Sequence, residues 1–211
     1  MKLTKYEHAC MVIEKGEASL IIDPGSFTMP LGDLYGVVAV VITHEHADHW
    51  TADQLARIIQ SNPKVRLFGP SGVAAAAVDF EIEVVKAGDV ITVEPFTLAF
   101  FGEKHAVIHE SIPVVDNVGV LVNDTLYYGG DSYTVPDVTV PVLAAPVGAP
   151  WLKIGEAMDY VLAVKPRRAF PVHEAVLSQI GRKLGNDRLA NVTELGGGEF
   201  TVLEAGESLE L

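Results

Sequence analysis

VVAVVITHEHADH, residues 37–49, joins a strongly apolar run to a cluster of histidines. The β-branched run from Val37 to Ile42 is typical of a strand that is buried on both faces. Beyond the histidine cluster, Thr51 and Gln54 resemble a capping box that opens a helix. The polar cluster is therefore expected where a buried strand gives way to a helix.

The composition of this cluster indicates metal binding. Three of the seven histidines of the chain fall within six residues, together with one aspartate. Imidazole and carboxylate groups are good ligands for zinc and similar divalent ions. In an extended segment His44 and His46 project to the same side, so both can bind one ion. Asp48 and His49 lie where the chain bends, and from there they can reach a second ion.

Length and cysteine content indicate one domain without disulfide bonds. The 211 residues are enough for a single domain over residues 1–211 with a sizeable core, and too few for two comfortable domains. Cys10 is the only cysteine, so no internal disulfide can form. No apolar run approaches the roughly 18 residues that span a bilayer, and no signal-peptide pattern opens the chain. These features predict a cytoplasmic protein.

The acidic composition restricts the class of partner. There are 28 acidic residues against 15 lysines and arginines, which gives a formal net charge of -13. Such a surface repels phosphate backbones and anionic lipid headgroups at long range. We therefore expect a small-molecule substrate, with no nucleic acid and no membrane as partner. An apolar fraction of 49% is compatible with a homo-oligomer as well as with a large core.

Strand-like and helix-like segments alternate along the chain. Besides residues 37–42, strands are predicted at 20–22, 65–68, 81–85, 96–101, 118–122, 125–128, 138–144, 168–171 and 200–203. Helices are predicted at 51–60, 71–78, 154–164 and 175–184. Pro141 indicates that the strand at 138–144 lies at a sheet edge or carries a bulge. The alternation predicts an α/β layered architecture.

Four segments together resemble a known family. The pattern His44-x-His46-x-Asp48-His49 after a hydrophobic strand resembles the signature of the metallo-β-lactamase fold superfamily. Further segments resemble its other motifs in the same order, namely residues 20–25 ending in Asp23-Pro24-Gly25, residues 130–132, and residues 170–173. The segment from His105 to Gly119 is similar to a bacterial branch of general metal-dependent hydrolases, related to lactonase-like and phosphodiesterase-like members. The resemblance covers roughly residues 6–175.

The resemblance implies a four-layer αβ/βα sandwich with two divalent metal ions at one edge. The ligands that it implies are His44, His46 and His105 for the first metal, Asp48, His49 and His173 for the second, and Asp131 as a bridge. The expected metal is zinc, with manganese or iron as alternatives, because nitrogen and oxygen ligands select weakly among these ions.

Other residues are expected to support the ligands or the substrate. The resemblance implies that Asp23 holds the loop of residues 44–49 by hydrogen bonding. His8 is expected to support a ligand, with a purely structural role as the alternative. His109 competes with His105 for the third ligand position of the first metal, and is otherwise expected to support the site, to contact substrate or to be a plain polar loop residue. Tyr133 and Trp151 line a substrate pocket or pack in the core.

The implied activity is hydrolysis of a small-molecule ester, lactone or phosphodiester by a hydroxide that bridges the two metals. Paired metals lower the pKa of bound water from 15.7 to about 7, and Asp48 is expected to accept a proton from the nucleophile. Histidine at position 46, where diiron flavoprotein relatives carry glutamate, favours hydrolysis over redox chemistry. Two alternatives stay open: a nuclease of the same fold, which the negative charge disfavours, and a non-catalytic metal-binding scaffold, which the complete ligand set disfavours.

Overall fold

Two seven-stranded sheets form the centre of the computed structural model, which describes residues 1–32 and 34–211. The strands of the first sheet are β1 (Lys2–Lys5), β2 (Met11–Lys15), β3 (Ala18–Ile22), β4 (Val37–Val41), β5 (Arg66–Gly69), β6 (Ile82–Val84) and β14 (Ser208–Glu210). Those of the second are β7 (Val90–Val93), β8 (Phe96–Phe101), β9 (Gly119–Val122), β10 (Leu126–Tyr128), β11 (Val142–Pro146), β12 (Arg168–Val172) and β13 (Glu199–Phe200). Their spatial orders are β14-β1-β2-β3-β4-β5-β6 and β13-β12-β11-β10-β9-β8-β7.

The helices cover the outer faces of the sheets. They are α1 (Ala52–Ser61), α2 (Ser71–Ala76), α3 (Ile154–Val164) and α4 (Gln179–Leu195). Alternate residues of one strand separate the layers: Leu20 and Ile22 lie in the core between the sheets, whereas Ile21 lies in the cluster under α1 and α2. A third cluster packs α3 and α4 on the second sheet. The expected αβ/βα sandwich is confirmed.

The loop that carries the histidine cluster is held by the start of α1. The Thr51 side chain caps this helix by accepting from the Gln54 backbone N–H at 3.2 Å. Leu55 and Ile58 are buried on the inner face of the helix. The Gln54 side chain does not complete a capping box, because its Oε1 accepts from the backbone N–H of Leu31. These contacts fix the position at which the chain leaves β4 and turns into α1.

Strand direction brings the functional loops to one edge. Strands β3, β4 and β5 run parallel in the first sheet, and β10, β11 and β12 run parallel in the second. The carboxyl ends of parallel neighbours meet at the same sheet edge. Asp23, His44, Asp131 and His173 all follow the ends of such strands. Within the described residues, no helix is long and apolar enough to cross a membrane.

Two predicted elements are displaced. The strand predicted at 138–144 is β11 at residues 142–146, and it lies between β10 and β12, so the expected edge position was wrong. Pro141 precedes the strand, where its missing N–H costs no sheet hydrogen bond and its carbonyl accepts from Arg168. The helix predicted at 175–184 is α4 at 179–195, because Ser178 caps it by accepting from the Gly181 N–H at 3.1 Å.

The remaining differences concern short or polar strands. The strand predicted at 200–203 is reduced to residues 199–200, at the edge of the second sheet. The prediction did not include β1, β2, β7 or β14. Polar residues interrupt β1 and β14, and β7 is exposed at alternate positions, so their apolar runs are too short to stand out.

Candidate metal centre

The seven predicted ligands converge at the shared edge of the sheets. They form overlapping groups whose potential donor atoms lie within 4.8 Å of one another. The groups are His44, His46 and His105; His44, His49 and Asp131; and His8, Asp48, His49 and His173. We call the first of these the His44 group and the last the His173 group. The two groups come from both sheets, and Asp131 lies between them.

The His44 group directs three imidazoles toward one point. Thr43 Oγ1 lies 3.1 Å from His44 Nδ1, and His44 Nε2 lies 3.1 Å from His46 Nδ1. The Thr43 hydroxyl already donates to Asp23, so it accepts from His44 Nδ1 and leaves the lone pair on His44 Nε2. His105 Nδ1 donates to the carbonyl of the next residue at 2.5 Å. The other nitrogen of His105, Nε2, is buried and has no hydrogen-bond partner within residues 1–32 and 34–211.

The His173 group contains two lone pairs that face each other. His49 Nδ1 donates to Asp23 Oδ2 at 2.6 Å, and His173 Nδ1 donates to the Gly148 carbonyl at 2.7 Å. Because each ring uses Nδ1 as a donor, a neutral ring has its lone pair on Nε2. The two Nε2 atoms are 3.3 Å apart. Such an approach is favourable only when a proton or a metal ion lies between or beside them.

Asp131 connects the two groups. Its Oδ2 lies 3.1 Å from His173 Nε2 and 3.4 Å from His105 Nε2. The same oxygen accepts from Trp151 Nε1 at 2.7 Å. Oδ1 is buried and lies 3.3 Å from His49 Nε2, but it accepts no well-aligned hydrogen bond from the part of the chain that the structure describes. A carboxylate in this position can contact an ion at the His44 group and a second ion at the His173 group.

Glycine is required before Asp131. Gly130 has a φ of 62°, and a Cβ there would overlap the side chains of Asn117 and Thr43. Asn117 in turn accepts from the Asp131 backbone N–H at 3.0 Å and donates to the Gly129 carbonyl at 2.9 Å. The turn is therefore fixed by both its backbone conformation and its neighbours.

The electrostatics of the centre favour a cation. Burial alone would raise the pKa of Asp131, but His49 and His173 hold it well below its ordinary value. Burial alone would lower the pKa of His49, but Asp131 and Asp23 raise it well above its ordinary value. Within the described residues, the ion pairs of Asp48 and Asp131 are with histidines and not with lysine or arginine.

These acidic side chains therefore require positive charge, which a proton on His49 or a metal ion can supply. Burial and the neighbouring His49 lower the pKa of His44 well below its ordinary value. His44 is therefore kept neutral, which is the form that binds a metal ion. Imidazole lone pairs, an orphaned carboxylate oxygen and a deficit of cations together fit divalent metal ions.

Asp23 forms the hydrogen bonds to the ligand loop that were expected of it. Its carboxylate accepts from the Thr43 N–H at 2.8 Å and the Thr43 hydroxyl at 2.7 Å, in addition to His49 Nδ1. Asp23 has a φ of 47°, and a Cβ at Gly25 two residues later would overlap the Asp48 backbone. The turn after β3 therefore packs directly on the ligand loop.

His8 supports Asp48. Its Nδ1 accepts from the Ala175 backbone N–H at 3.3 Å, so the proton of the neutral ring is on Nε2. That nitrogen lies 3.2 Å from Asp48 Oδ2 and donates to it. Burial alone would raise the pKa of Asp48, but this hydrogen bond and His49 lower it below its ordinary value.

His109 lies elsewhere. It is exposed, and its Nδ1 contacts Ser111 at 2.8 Å. It belongs to none of the donor groups, whereas His105 does. Among the alternatives for His109, that of a polar loop residue agrees with this exposed position, whereas a role in holding the first metal does not.

A cavity of about 470 Å³ adjoins the centre. Its lining includes Ala106 and Ser132, which follow two of the candidate ligands, together with Tyr133 and Trp151. Both aromatic residues, which the sequence left as pocket or core, therefore line a cavity. Burial raises the pKa of Tyr133 to about 12, so its hydroxyl stays protonated at neutral pH.

Several supporting residues were missed by sequence reasoning. Thr43 and Asn117 were part of the quoted motifs but received no role. The contact of the Trp151 N–H with Asp131 had no local signal, because 20 residues separate them. Lys5 and Glu174, which form a buried ion pair beside His8, were also missed. The alternation in β1 could have indicated Lys5, because it places Lys5 on the buried face with Leu3.

Comparisons with known proteins agree with the geometry. The β-lactamase superfamily domain matches residues 2–173. Protein Rv0786c of Mycobacterium tuberculosis is 38% identical over 198 residues, covering 92% of this chain and 93% of that protein. A UPF0173 metal-dependent hydrolase of Methanocaldococcus jannaschii, MJ1163, is 26% identical and covers 99% of this chain and 100% of that protein.

A solved structure shows the same fold. Igni18, described as a metallo hydrolase from the archaeon Ignicoccus hospitalis, superposes with a TM-score of 0.75 over 100% of this chain and 98% of that chain, at 18% identity. The order of the motifs, the two-sheet sandwich and the family match agree. The chain belongs to the metallo-β-lactamase superfamily, among its metal-dependent hydrolases.

Proposed function

We propose that this protein is a dinuclear metal-dependent hydrolase that acts on a small-molecule ester, lactone or phosphodiester. One observation carries the proposal: Asp131 lies between the two donor groups, and its buried Oδ1, 3.3 Å from His49 Nε2, accepts no well-aligned hydrogen bond within the described residues. A mononuclear centre would leave one group of imidazole lone pairs without a cation. Two ions would satisfy both groups and the orphaned oxygen.

The residues that would hold the ions are Asp131 and the members of the two groups other than His8, whose Nε2 donates to Asp48. The proposed ligands are His44, His46 and His105 for one ion, Asp48, His49 and His173 for the other, and Asp131 for both. Divalent ions, when bound, lower the pKa of coordinated water so that a nucleophile is available at neutral pH. We propose zinc, with manganese or iron as the alternatives, since the N/O donor set selects weakly among them.

The protein's own groups would orient the reaction. Asp48 is oriented by the hydrogen bond from His8, and we propose that it accepts a proton from the nucleophile. Trp151 fixes one oxygen of Asp131 and forms part of the cavity wall. The adjoining cavity would hold the substrate beside Asp131, with a size suited to a small molecule. The net charge of -13 supports a small-molecule substrate over nucleic acid.

Metal analysis tests the number of ions directly. Wild-type protein, Asp131→Ala and the exposed control Asp187→Ala would be stripped, reloaded separately with zinc or manganese, and measured by plasma mass spectrometry. We expect close to two ions per chain in wild type and in the control, with a clear loss in Asp131→Ala. One ion or none in all three proteins would refute the dinuclear proposal.

A substrate panel then tests the chemistry. The loaded wild type would be offered aryl esters, lactones, a bis-aryl phosphodiester and single-stranded RNA. We expect turnover of at least one small-molecule class and none of RNA. Salt-sensitive cleavage of RNA would support the nuclease instead, and inertness of a protein with two bound ions would support a non-catalytic scaffold.

A further inference from the structure

A lysine and a glutamate form a buried ion pair next to the proposed centre. Lys5 Nζ donates to Glu174 Oε1 at 2.6 Å, and the two side chains are 0% and 9% exposed. Lysine is almost never fully buried unless it is paired. Buried ion pairs often stabilise a protein no more than apolar residues of similar volume, because both charges lose their hydration. Stability alone is therefore a weak explanation for this pair.

The pair joins the two sheets at the proposed metal centre. Lys5 ends β1 of the first sheet, whereas Glu174 follows β12 of the second. Lys5 Nζ also donates to the Tyr6 carbonyl at 2.9 Å. Glu174 Oε1 also accepts from the His8 backbone N–H at 3.3 Å. One carboxylate oxygen thus holds both the lysine and the backbone of the residue that supports Asp48.

Further hydrogen bonds link the same two segments. The His173 N–H donates to the His8 carbonyl at 2.9 Å, and the Ala175 N–H donates to His8 Nδ1 at 3.3 Å. His8 has a φ of 62° and His173 a φ of 65°, a conformation that non-glycine residues rarely adopt. Residues in such conformations persist only when their surroundings hold them there. The ion pair lies directly beside both strained positions.

We propose that the Lys5–Glu174 pair positions the His173 group, by holding His8 and His173 in the orientation that a metal ion at that group requires. The proposal rests on the dinuclear function proposed above. Lys5 and Glu174 are positioning residues, since they act through His8 and the His173 backbone and contact no candidate donor atom. Loss of the pair leaves the two segments joined only by the His173–His8 and Ala175–His8 hydrogen bonds, and the hydrogen bond from His8 to Asp48 is weakened as a result.

The proposed positioning role predicts a loss of metal affinity at only one of the two groups. The His44 group is held by Thr43 and by the loop of His105, and neither contacts the pair. Only the ion at the His173 group should therefore depend on Lys5 and Glu174. A pair that served stability alone would affect both ions equally, through a general loss of folded protein.

Cobalt(II) titration of stripped protein separates these cases. The principal variant is Lys5→Met/Glu174→Leu, which removes both charges and leaves no unpaired buried charge. Lys5→Met/Glu174→Gln is the milder variant, because it also leaves no unpaired buried charge and its amide oxygen can still accept from the His8 N–H. The control is Arg66→Met/Glu83→Leu, which removes a partly exposed ion pair of 2.7 Å between β5 and β6, away from the centre. Visible absorption reports each bound equivalent, and thermal melting of the stripped proteins reports stability.

In the double variant we expect one equivalent to bind as in wild type and the other to bind about 10- to 100-fold more weakly, the range for loss of a partner that orients ligands. Lys5→Met/Glu174→Gln should show a smaller shift of the same equivalent. The control should keep both affinities.

Wild-type affinity for both equivalents in the double variant would overturn the positioning role. Equal weakening of both equivalents together with a lower melting temperature would also overturn it, in favour of a structural role. Fewer than two equivalents in wild type would refute the dinuclear function itself, and the positioning role with it.

Discussion

The His44 group and the His173 group are built from similar ligands but held in different ways. In the His173 group, a carboxylate orients His49, a backbone carbonyl orients His173, and His8 orients Asp48. In the His44 group, the supports are one hydroxyl and one backbone carbonyl. His46 is half-buried, and Ala106, which follows His105, lines the cavity. For the proposed dinuclear centre, the comparison predicts a more tightly organised ion at the His173 group and an ion at the His44 group that lies beside the cavity.

Asp131→Asn should have the largest effect, because Asp131 serves both groups. The substitution keeps the shape of the side chain but removes the charge, and its NH₂ group cannot bind a metal. We expect both ions to bind more weakly and hydrolysis to fall by more than the roughly 100-fold that loss of an outer partner causes. Metal content and kcat/KM on the best panel substrate would measure the effect. Retention of two ions with normal turnover would exclude Asp131 as the shared ligand.

Asp23→Asn should separate the two groups. An amide cannot serve as the anionic acceptor for both the Thr43 hydroxyl and His49, so the tautomer and orientation of His49 become less defined. We expect metal affinity or activity to fall about 10- to 100-fold, with the larger loss for the ion at the His173 group. Stepwise cobalt titration against the exposed control Asp187→Asn would measure it. A greater loss at the His44 group would contradict the proposed difference in support.

Trp151→Phe should have a smaller effect, on the cavity side of the centre. The change keeps an aromatic ring and removes the N–H that donates to Asp131. We expect kcat/KM to fall by about 10-fold, the lower end for a lost outer partner, while metal content stays close to wild type. Trp50→Phe is the comparison, because the Trp50 N–H donates to the Glu45 backbone carbonyl instead. An equal effect of both variants would show that the contact with Asp131 has no special role.

Local patterns predicted the parts of the fold that depend on neighbouring residues. The helix at 154–164 and the strand at 96–101 have the predicted bounds, because their apolar periodicity is complete. The strand around Pro141 and the start of α4 were misplaced, because a single proline or serine decides where the element begins. Such a decision depends on hydrogen bonds that periodicity does not register.

In the candidate site, too, local patterns predicted some features and missed others. Ligands that cluster in the sequence, such as His44 and His49, were visible from their spacing. The contact of Lys5 with Glu174 spans 169 residues, so only the pairing of the two sheets reveals it. The choice between His105 and His109 was also beyond local patterns, since both occupy one loop. Backbone hydrogen bonds place His105 at the centre. The His105 N–H donates to the Val115 carbonyl, and the Ala106 N–H donates to the Asp131 carbonyl.

His109→Ala should have the smallest effect and completes the comparison. His109 is exposed and contacts Ser111, so its removal should leave metal content and kcat/KM within about twofold of wild type, as for most surface substitutions. His105→Ala is the matched variant on the same loop. It should lower the metal affinity of the His44 group, whereas the affinity of the His173 group should be retained. Stepwise cobalt titration of the two variants would measure both effects. If His109→Ala lost an ion and His105→Ala did not, the loop would have to rearrange on metal binding. The ligands of the His44 group would then need reassignment.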